Sequence, residues 1–77
     1  MGTAFILIKT VPGKERDVYL TLSDLDCVME VHVLYGVHDL FARIGADDSS
    51  ELANILLGTF RTIDGIRETE TLITVDY

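Results

Sequence analysis

Several features that commonly stabilise or target a small protein are scarce in this sequence. Only one cysteine occurs among the 77 residues, so the chain can form no internal disulfide, and a lone free thiol is typical of a reducing compartment. No apolar run approaches the roughly 20 residues that a membrane-spanning helix requires. The start, Met1-Gly2-Thr3, lacks the basic residues that begin a signal peptide. These absences predict a cytoplasmic protein with no membrane partner.

Basic residues are also few, because 6 Lys and Arg stand against 13 Asp and Glu, which gives a formal net charge of −7. The basic residues are scattered along the chain. Nucleic acids and anionic lipids are bound through Lys and Arg side chains that neutralise phosphate. We therefore expect no direct nucleic-acid partner.

Apolar residues, by contrast, make up 48% of the chain and charged residues 25%, which is typical of a globular protein. We expect one domain over residues 1–77, with no cofactor and no metal. A chain this short buries only about 60% of its unfolded surface. Because no disulfide or evident metal set compensates, oligomerisation is the remaining common way to stabilise it.

Residues 28–46 form the stretch around which the rest of the chain is organised. The segments 28–35 and 40–46 are rich in β-branched and aromatic residues, which predicts two strands. Between them lies Gly36-Val37-His38-Asp39. Glycine can adopt a positive φ and aspartate can hydrogen-bond to its own backbone, so this segment predicts a hairpin turn. The turn also concentrates polar groups that can contact a ligand.

The flanking segments predict two more strands and two helices. Residues 4–11 form a strand that is apolar on both faces and ends at Pro12-Gly13, and residues 66–75 form the last strand. Residues 14–24 form an amphipathic helix. The second helix has a capping box, an apolar stripe and a final glycine: Asp48 or Ser49 with Glu51, then Leu52, Ile55, Leu56, Phe60 and Ile63, then Asp64-Gly65.

This order of elements is that of the ferredoxin-like βαββαβ sandwich, an α+β fold. Two right-handed crossovers place both helices on one face of an antiparallel four-stranded sheet. The apolar residues of the other face then form an exposed patch, which a second copy can cover sheet against sheet. We therefore expect at least a homodimer. The hairpin residues expected on that face are Val28, Glu30, His32, Leu34, Phe41 and Arg43.

Four segments of the chain carry a resemblance to a known family: residues 4–8 with 12–16, 31–32 with 35–40, 46–48, and 63–71. In the same order, the sequences of the four segments are AFILI and PGKER, VH and YGVHDL, ADD, and IDGIRETET. In this order they resemble the effector-binding (RAM) domain of the Lrp/AsnC transcriptional regulators. The first is similar to its opening strand and helix entry, the second to its Gly-x-x-Asp turn, the third to the approach to its second helix, and the fourth to the entry of its last strand.

The resemblance implies an amino-acid-sensing regulatory module and not an enzyme. Full-length members carry an N-terminal helix-turn-helix domain that is not seen here, so the chain resembles a stand-alone form. The resemblance also implies a dimeric α/β-barrel, often assembled into a ring of four dimers (an octamer), with a small amino-acid effector bound near the Gly-x-x-Asp turn at contacts between dimers. Such a chain is expected to act on a DNA-binding paralogue or an enzyme.

The candidate ligand-binding residues lie in the turn and the last strand. Gly36 allows a ligand carboxylate to approach the backbone, and Asp39 can accept a hydrogen bond from an ammonium group. Turn formation alone explains both residues, and β-propensity alone explains threonines in a strand. The full set of candidates is Tyr35, Gly36, Val37, His38, Asp39, Thr69 and Thr71.

Two other functions are compatible with parts of the pattern, whereas a metal site within one chain is not. A small dimeric enzyme of the monooxygenase type would need a polar group on the bare face, and His32 and Arg43 are the candidates. An ACT-like domain would bind its ligand near the loop at Pro12-Gly13. Cys27, His32 and His38 are too far apart along an extended chain to hold one metal ion.

Overall fold

A four-stranded antiparallel sheet is the central element of the computed structural model, which describes residues 2–74. The strands lie side by side in the order β2-β3-β1-β4, and two helices occur between them along the chain. This arrangement is the ferredoxin-like βαββαβ fold, as the order of elements predicted. The elements are β1 (Gly2–Thr10), α1 (Glu15–Ser23), β2 (Val28–Val33), β3 (Leu40–Ala46), α2 (Ser49–Asn54) and β4 (Ile66–Ile73).

The core lies between the sheet and the helices. Alternate residues of the two central strands, β1 and β3, are buried, because successive side chains of a strand point to opposite faces. Val18 and Leu22 of α1 and Leu52 of α2 pack on the same side. No helix in the 2–74 segment is long and apolar enough to cross a membrane. The buried apolar residues are Ala4, Ile6, Ile8, Val18, Leu22, Leu40, Ala42, Ile44, Ala46, Leu52 and Phe60.

The second helical segment begins as predicted but is not one uniform helix. The Asp48 carboxylate accepts a hydrogen bond from the Glu51 backbone N–H at 2.8 Å, which caps the start. After α2 the chain continues as a π turn at Ile55–Thr59 and a 3₁₀ turn at Phe60–Thr62. In a uniform α-helix Phe60 would be rotated about 80° from Leu52. The wider π turn reduces this rotation, so both side chains are buried.

Three predictions about the hairpin were wrong. β2 ends at Val33 and not at residue 35, and Gly36 has no positive φ, which within residues 2–74 is found only at Gly13 (86°) and Gly65 (97°). A bulge between Val28 and Glu30 turns Val28 towards the core, opposite Ile44. Val28 therefore does not lie on the face of the sheet opposite the helices, which we call the open face.

The remaining differences from the predicted elements are small. Glu30 and His32 lie opposite Arg43 and Phe41, on the predicted face. Leu34 follows the end of β2 and belongs to the loop. Of the last predicted strand, Val75 falls outside the described residues.

Candidate functional site

Hydrogen bonds of Asp39 connect the hairpin turn to the end of β1. Its Oδ2 atom accepts hydrogen bonds from the Thr10 backbone N–H at 2.9 Å and from the Thr10 hydroxyl at 3.2 Å. The Asp39 N–H donates to the Ile8 carbonyl, and the Asp39 carbonyl accepts from the Leu34 N–H, both at 2.8 Å. These four bonds give Asp39 a structural role in the single chain that requires no ligand.

The tip of the turn projects into solvent. Tyr35 is fully exposed and Val37 is 79% exposed. Apart from Gly36 and its two chain neighbours, no atom of residues 2–74 lies within 4 Å of the position that a Cβ would take at Gly36. The tip is therefore an apolar projection that touches little of its own chain.

His38 lies on the other side of the turn, against β4. Its Nε2 atom is 3.6 Å from the Glu70 Oε2 atom, and only 21% of its side chain is exposed. Beside it the Lys9 ammonium is 3.6 Å from a Glu68 carboxylate oxygen. We call the recess between them, of about 490 Å³, the open-face pocket; it is lined by Lys9, His38, Glu68, Thr69 and Glu70.

Thr69 and Thr71 point the other way from Glu68 and Glu70, because side chains alternate along β4. Both threonines line a groove of about 440 Å³ between β4 and the second helical segment. The structure thus brings His38 and Thr69 to one pocket, and Thr69 and Thr71 to another. Tyr35, Gly36, Val37 and Asp39 line neither, so their role at a ligand stays a prediction.

A charged cluster on the open face was not evident from the sequence. The Glu30 carboxylate accepts a hydrogen bond from Arg43 Nε at 2.7 Å, and its other oxygen is 3.2 Å from His32 Nε2. The Arg43 hydrogen bond, with a smaller effect from His32, lowers the pKa of Glu30 below its ordinary value. The sequence alternation places Glu30 and His32 on one face of a strand. Their pairing with Arg43 depends on the register between β2 and β3, which the sequence does not give.

The open face combines an apolar centre with charged surroundings. The Phe5 and Phe41 rings stack at 5.8 Å between centroids, and His32 stacks on Phe41 at 6.2 Å. Leu7 is half-buried beside them, and Leu72 is 51% exposed. We call these four residues, Phe5, Leu7, Phe41 and Leu72, the apolar centre.

Cys27 and the two histidines do not meet. Cys27 is a partly buried free thiol, and burial raises its pKa, which disfavours the reactive thiolate. His32 contacts Glu30, whereas His38 contacts Glu70. Over residues 2–74, no three His, Cys, Asp or Glu side chains are placed to hold a metal ion.

Comparison with known proteins gives relatives that are regulators. An HTH-type transcriptional regulator of Pyrococcus abyssi is 40% identical over 70 residues, which cover 91% of this chain and 44% of that protein. The chain thus spans less than half the length of this relative. The crystal structure of FFRP-DM1 superposes with a TM-score of 0.93 at 36% identity and covers 97% of this chain and 100% of that one.

A more distant structure is that of transcriptional regulator NMB0573 of Neisseria meningitidis in complex with L-Met. It has a TM-score of 0.84 at 16% identity and covers 97% of this chain and 50% of that one, so it shows a shared fold alone. The family model described as the Lrp/AsnC ligand binding domain matches residues 3–76. This chain therefore belongs to the Lrp/AsnC ligand-binding domain family.

Proposed function

We propose that this chain is a cytoplasmic, non-enzymatic module that senses a small amino acid and passes its occupancy to a regulatory partner. The single domain over residues 1–77 contains the sensor, and the partner is a DNA-binding paralogue of the Lrp/AsnC type or an enzyme. The observation that carries the proposal is the open-face pocket, which presents charges of both signs within one recess.

The chemistry of the pocket matches the two charged groups that every amino acid presents. The Lys9 ammonium can bind the α-carboxylate of the ligand, and the Glu70 carboxylate can accept hydrogen bonds from its α-ammonium group. Such charge-assisted hydrogen bonds are about twice as strong as neutral ones. His38, which is held near Glu70, closes one side of the recess.

Assembly is the second part of the proposal. A second copy packs sheet against sheet on the apolar centre and forms a dimeric α/β-barrel, since Leu72 on this face is left 51% exposed by the described residues 2–74. Dimers then meet through the exposed tips at Tyr35 and Val37, and four of them close a ring. Contacts between dimers complete the predicted set at this ligand: Tyr35, Gly36, Val37, His38 and Asp39 come from the turn. Thr69 and Thr71, whose side chains point away from Glu68 and Glu70 of their own chain, come from a neighbouring subunit.

A site completed at a subunit contact couples ligand to assembly. A ligand that binds the assembled form more tightly than the separate subunits shifts the equilibrium towards that form by mass action. The assembly in turn is the signal that a regulatory partner can read. No chemical step is needed, which agrees with relatives that are named as transcriptional regulators.

The test is isothermal titration calorimetry of the purified chain against each of the twenty amino acids, with light scattering to follow its mass. We expect at least one amino acid to bind and to shift the mass distribution. Lys9→Met should weaken that binding at least tenfold, whereas Lys14→Met, which removes a charge near Asp17 on α1, should not. Binding of no amino acid, or equal binding by the two variants, would refute the proposal.

A further inference from the structure

We propose that the open-face pocket selects amino acids with a second ammonium group, such as lysine and ornithine. The inference rests on the proposed function, because it concerns the chemical class of the ligand in the same pocket. It follows from the balance of charges among the lining residues and from the spacing between two of them.

The lining residues of the pocket have an excess of negative charge. Two carboxylates, Glu68 and Glu70, face one ammonium group, that of Lys9, while His38 is charged only when protonated. Both carboxylates are more than half exposed in the single chain. A ligand with zero net charge leaves the excess in place, whereas a ligand with one net positive charge cancels it.

Binding of a ligand carboxylate also changes the internal ion pairs. Lys9 is the cation beside Glu68, at 3.6 Å. When Lys9 turns to a ligand carboxylate, Glu68 loses that interaction. A side-chain ammonium group on the ligand can take the place of Lys9 beside Glu68, and an aliphatic side chain cannot.

The spacing of the two carboxylates fits such a ligand. Glu68 and Glu70 are alternate residues on the same face of β4, so their backbone positions are about 7 Å apart. The two ammonium groups of lysine with an extended side chain lie a comparable distance apart. The α-ammonium group can therefore bind Glu70 while the side-chain ammonium group binds Glu68.

L-Norleucine is a matched control ligand, because it has the carbon chain of lysine without the terminal amino group. We expect calorimetry on the full chain to give an affinity for L-lysine about tenfold higher than for L-norleucine, which is the effect of one charge-assisted hydrogen bond. The preference should decrease as salt is added, because the distinguishing interaction is between exposed charges.

Two variants test whether Glu68 is responsible. Glu68→Gln should reduce the preference for lysine to near unity, while Asp24→Asn, which removes an equal charge from the end of α1, should retain it. Equal affinity for the two ligands, or a preference that survives in Glu68→Gln, would overturn the selectivity. If neutral amino acids bind without a preference for lysine, only this inference fails; if no amino acid binds, the proposed function fails with it.

Discussion

Asp39 and Thr10, which lie 29 residues apart in the chain, are joined by two hydrogen bonds to a single carboxylate oxygen. Thr10 is 4% exposed, so few water molecules can replace the carboxylate as a partner of its N–H group. The pair therefore holds the hairpin turn against the end of β1. It also places the adjacent His38 at the rim of the open-face pocket.

Substitution of Asp39 by alanine should destabilise the fold by about 1–3 kcal/mol, because a buried backbone donor loses its acceptor. Thr10→Val is the matched control, since it removes only the hydroxyl bond and should cost about 1 kcal/mol or less. Urea denaturation monitored by circular dichroism measures both. A loss in Thr10→Val as large as that in Asp39→Ala would contradict this assignment of the backbone bond.

Three glycine-to-alanine variants should differ in how much stability they lose. The loss depends on the φ angle of the glycine and on the room available for an added Cβ. Gly13→Ala should cost about 1–2 kcal/mol from its positive φ alone, since its Cβ would meet open space. Gly65→Ala should cost more, because its Cβ would lie 3.0 Å from Val18 and 3.1 Å from Lys14. Gly36→Ala should change stability by less than about 0.5 kcal/mol.

Gly36→Ala then separates the turn from the ligand. If a ligand carboxylate approaches the backbone at Gly36, this variant should bind its amino acid more weakly while it unfolds at the same urea concentration as the natural chain. Calorimetry and denaturation on the same sample give both values. Unchanged ligand affinity would remove Gly36 from the set of ligand-binding residues.

The Glu30–Arg43 pair should make stability depend on pH. The pKa of Glu30 is lowered in the folded chain, so folded Glu30 binds a proton less readily than unfolded Glu30, whose pKa has its ordinary value of 4.5. The stabilisation is therefore present above that value and is lost as the pH falls through the lowered pKa. Urea denaturation over this pH range gives the free energies of unfolding of the natural chain and of Glu30→Gln. The difference between these two free energies should become smaller as the pH falls. A difference that stays constant would show that Glu30 does not titrate in this way.

The sequence was sufficient for the order of elements because each depends on local signals. The apolar run of β1, the Asp48 cap and the positive φ of Gly65 all follow from residues close together in the chain. The family resemblance added the expected place of the site.

The features that the sequence did not predict depend on pairing between distant residues. The Val28 bulge exists only against β3, and the Asp39 bonds exist only against β1. The open-face pocket combines Lys9 with residues from the turn and from β4, and their register is not readable from local patterns. For this reason Lys9, Glu68 and Glu70 were absent from the predicted site.

Substitution of Leu72 by glutamate tests whether the apolar centre mediates self-association, because it adds a charge to a half-exposed position without disturbing the core. Leu57→Glu is the control, since Leu57 is 63% exposed but lies on the helical side. We expect Leu72→Glu to weaken self-association at least 100-fold and Leu57→Glu to leave it unchanged. Burying an unpaired charge at an apolar interface is the reason for the difference.

Sedimentation velocity of the natural chain at micromolar concentration is the most direct measurement of whether the bare sheet is covered by another copy. We expect a dimer or a larger even-numbered species, and a monomer for Leu72→Glu. A well-folded, monodisperse monomer of the natural chain would show that the open face needs no second copy.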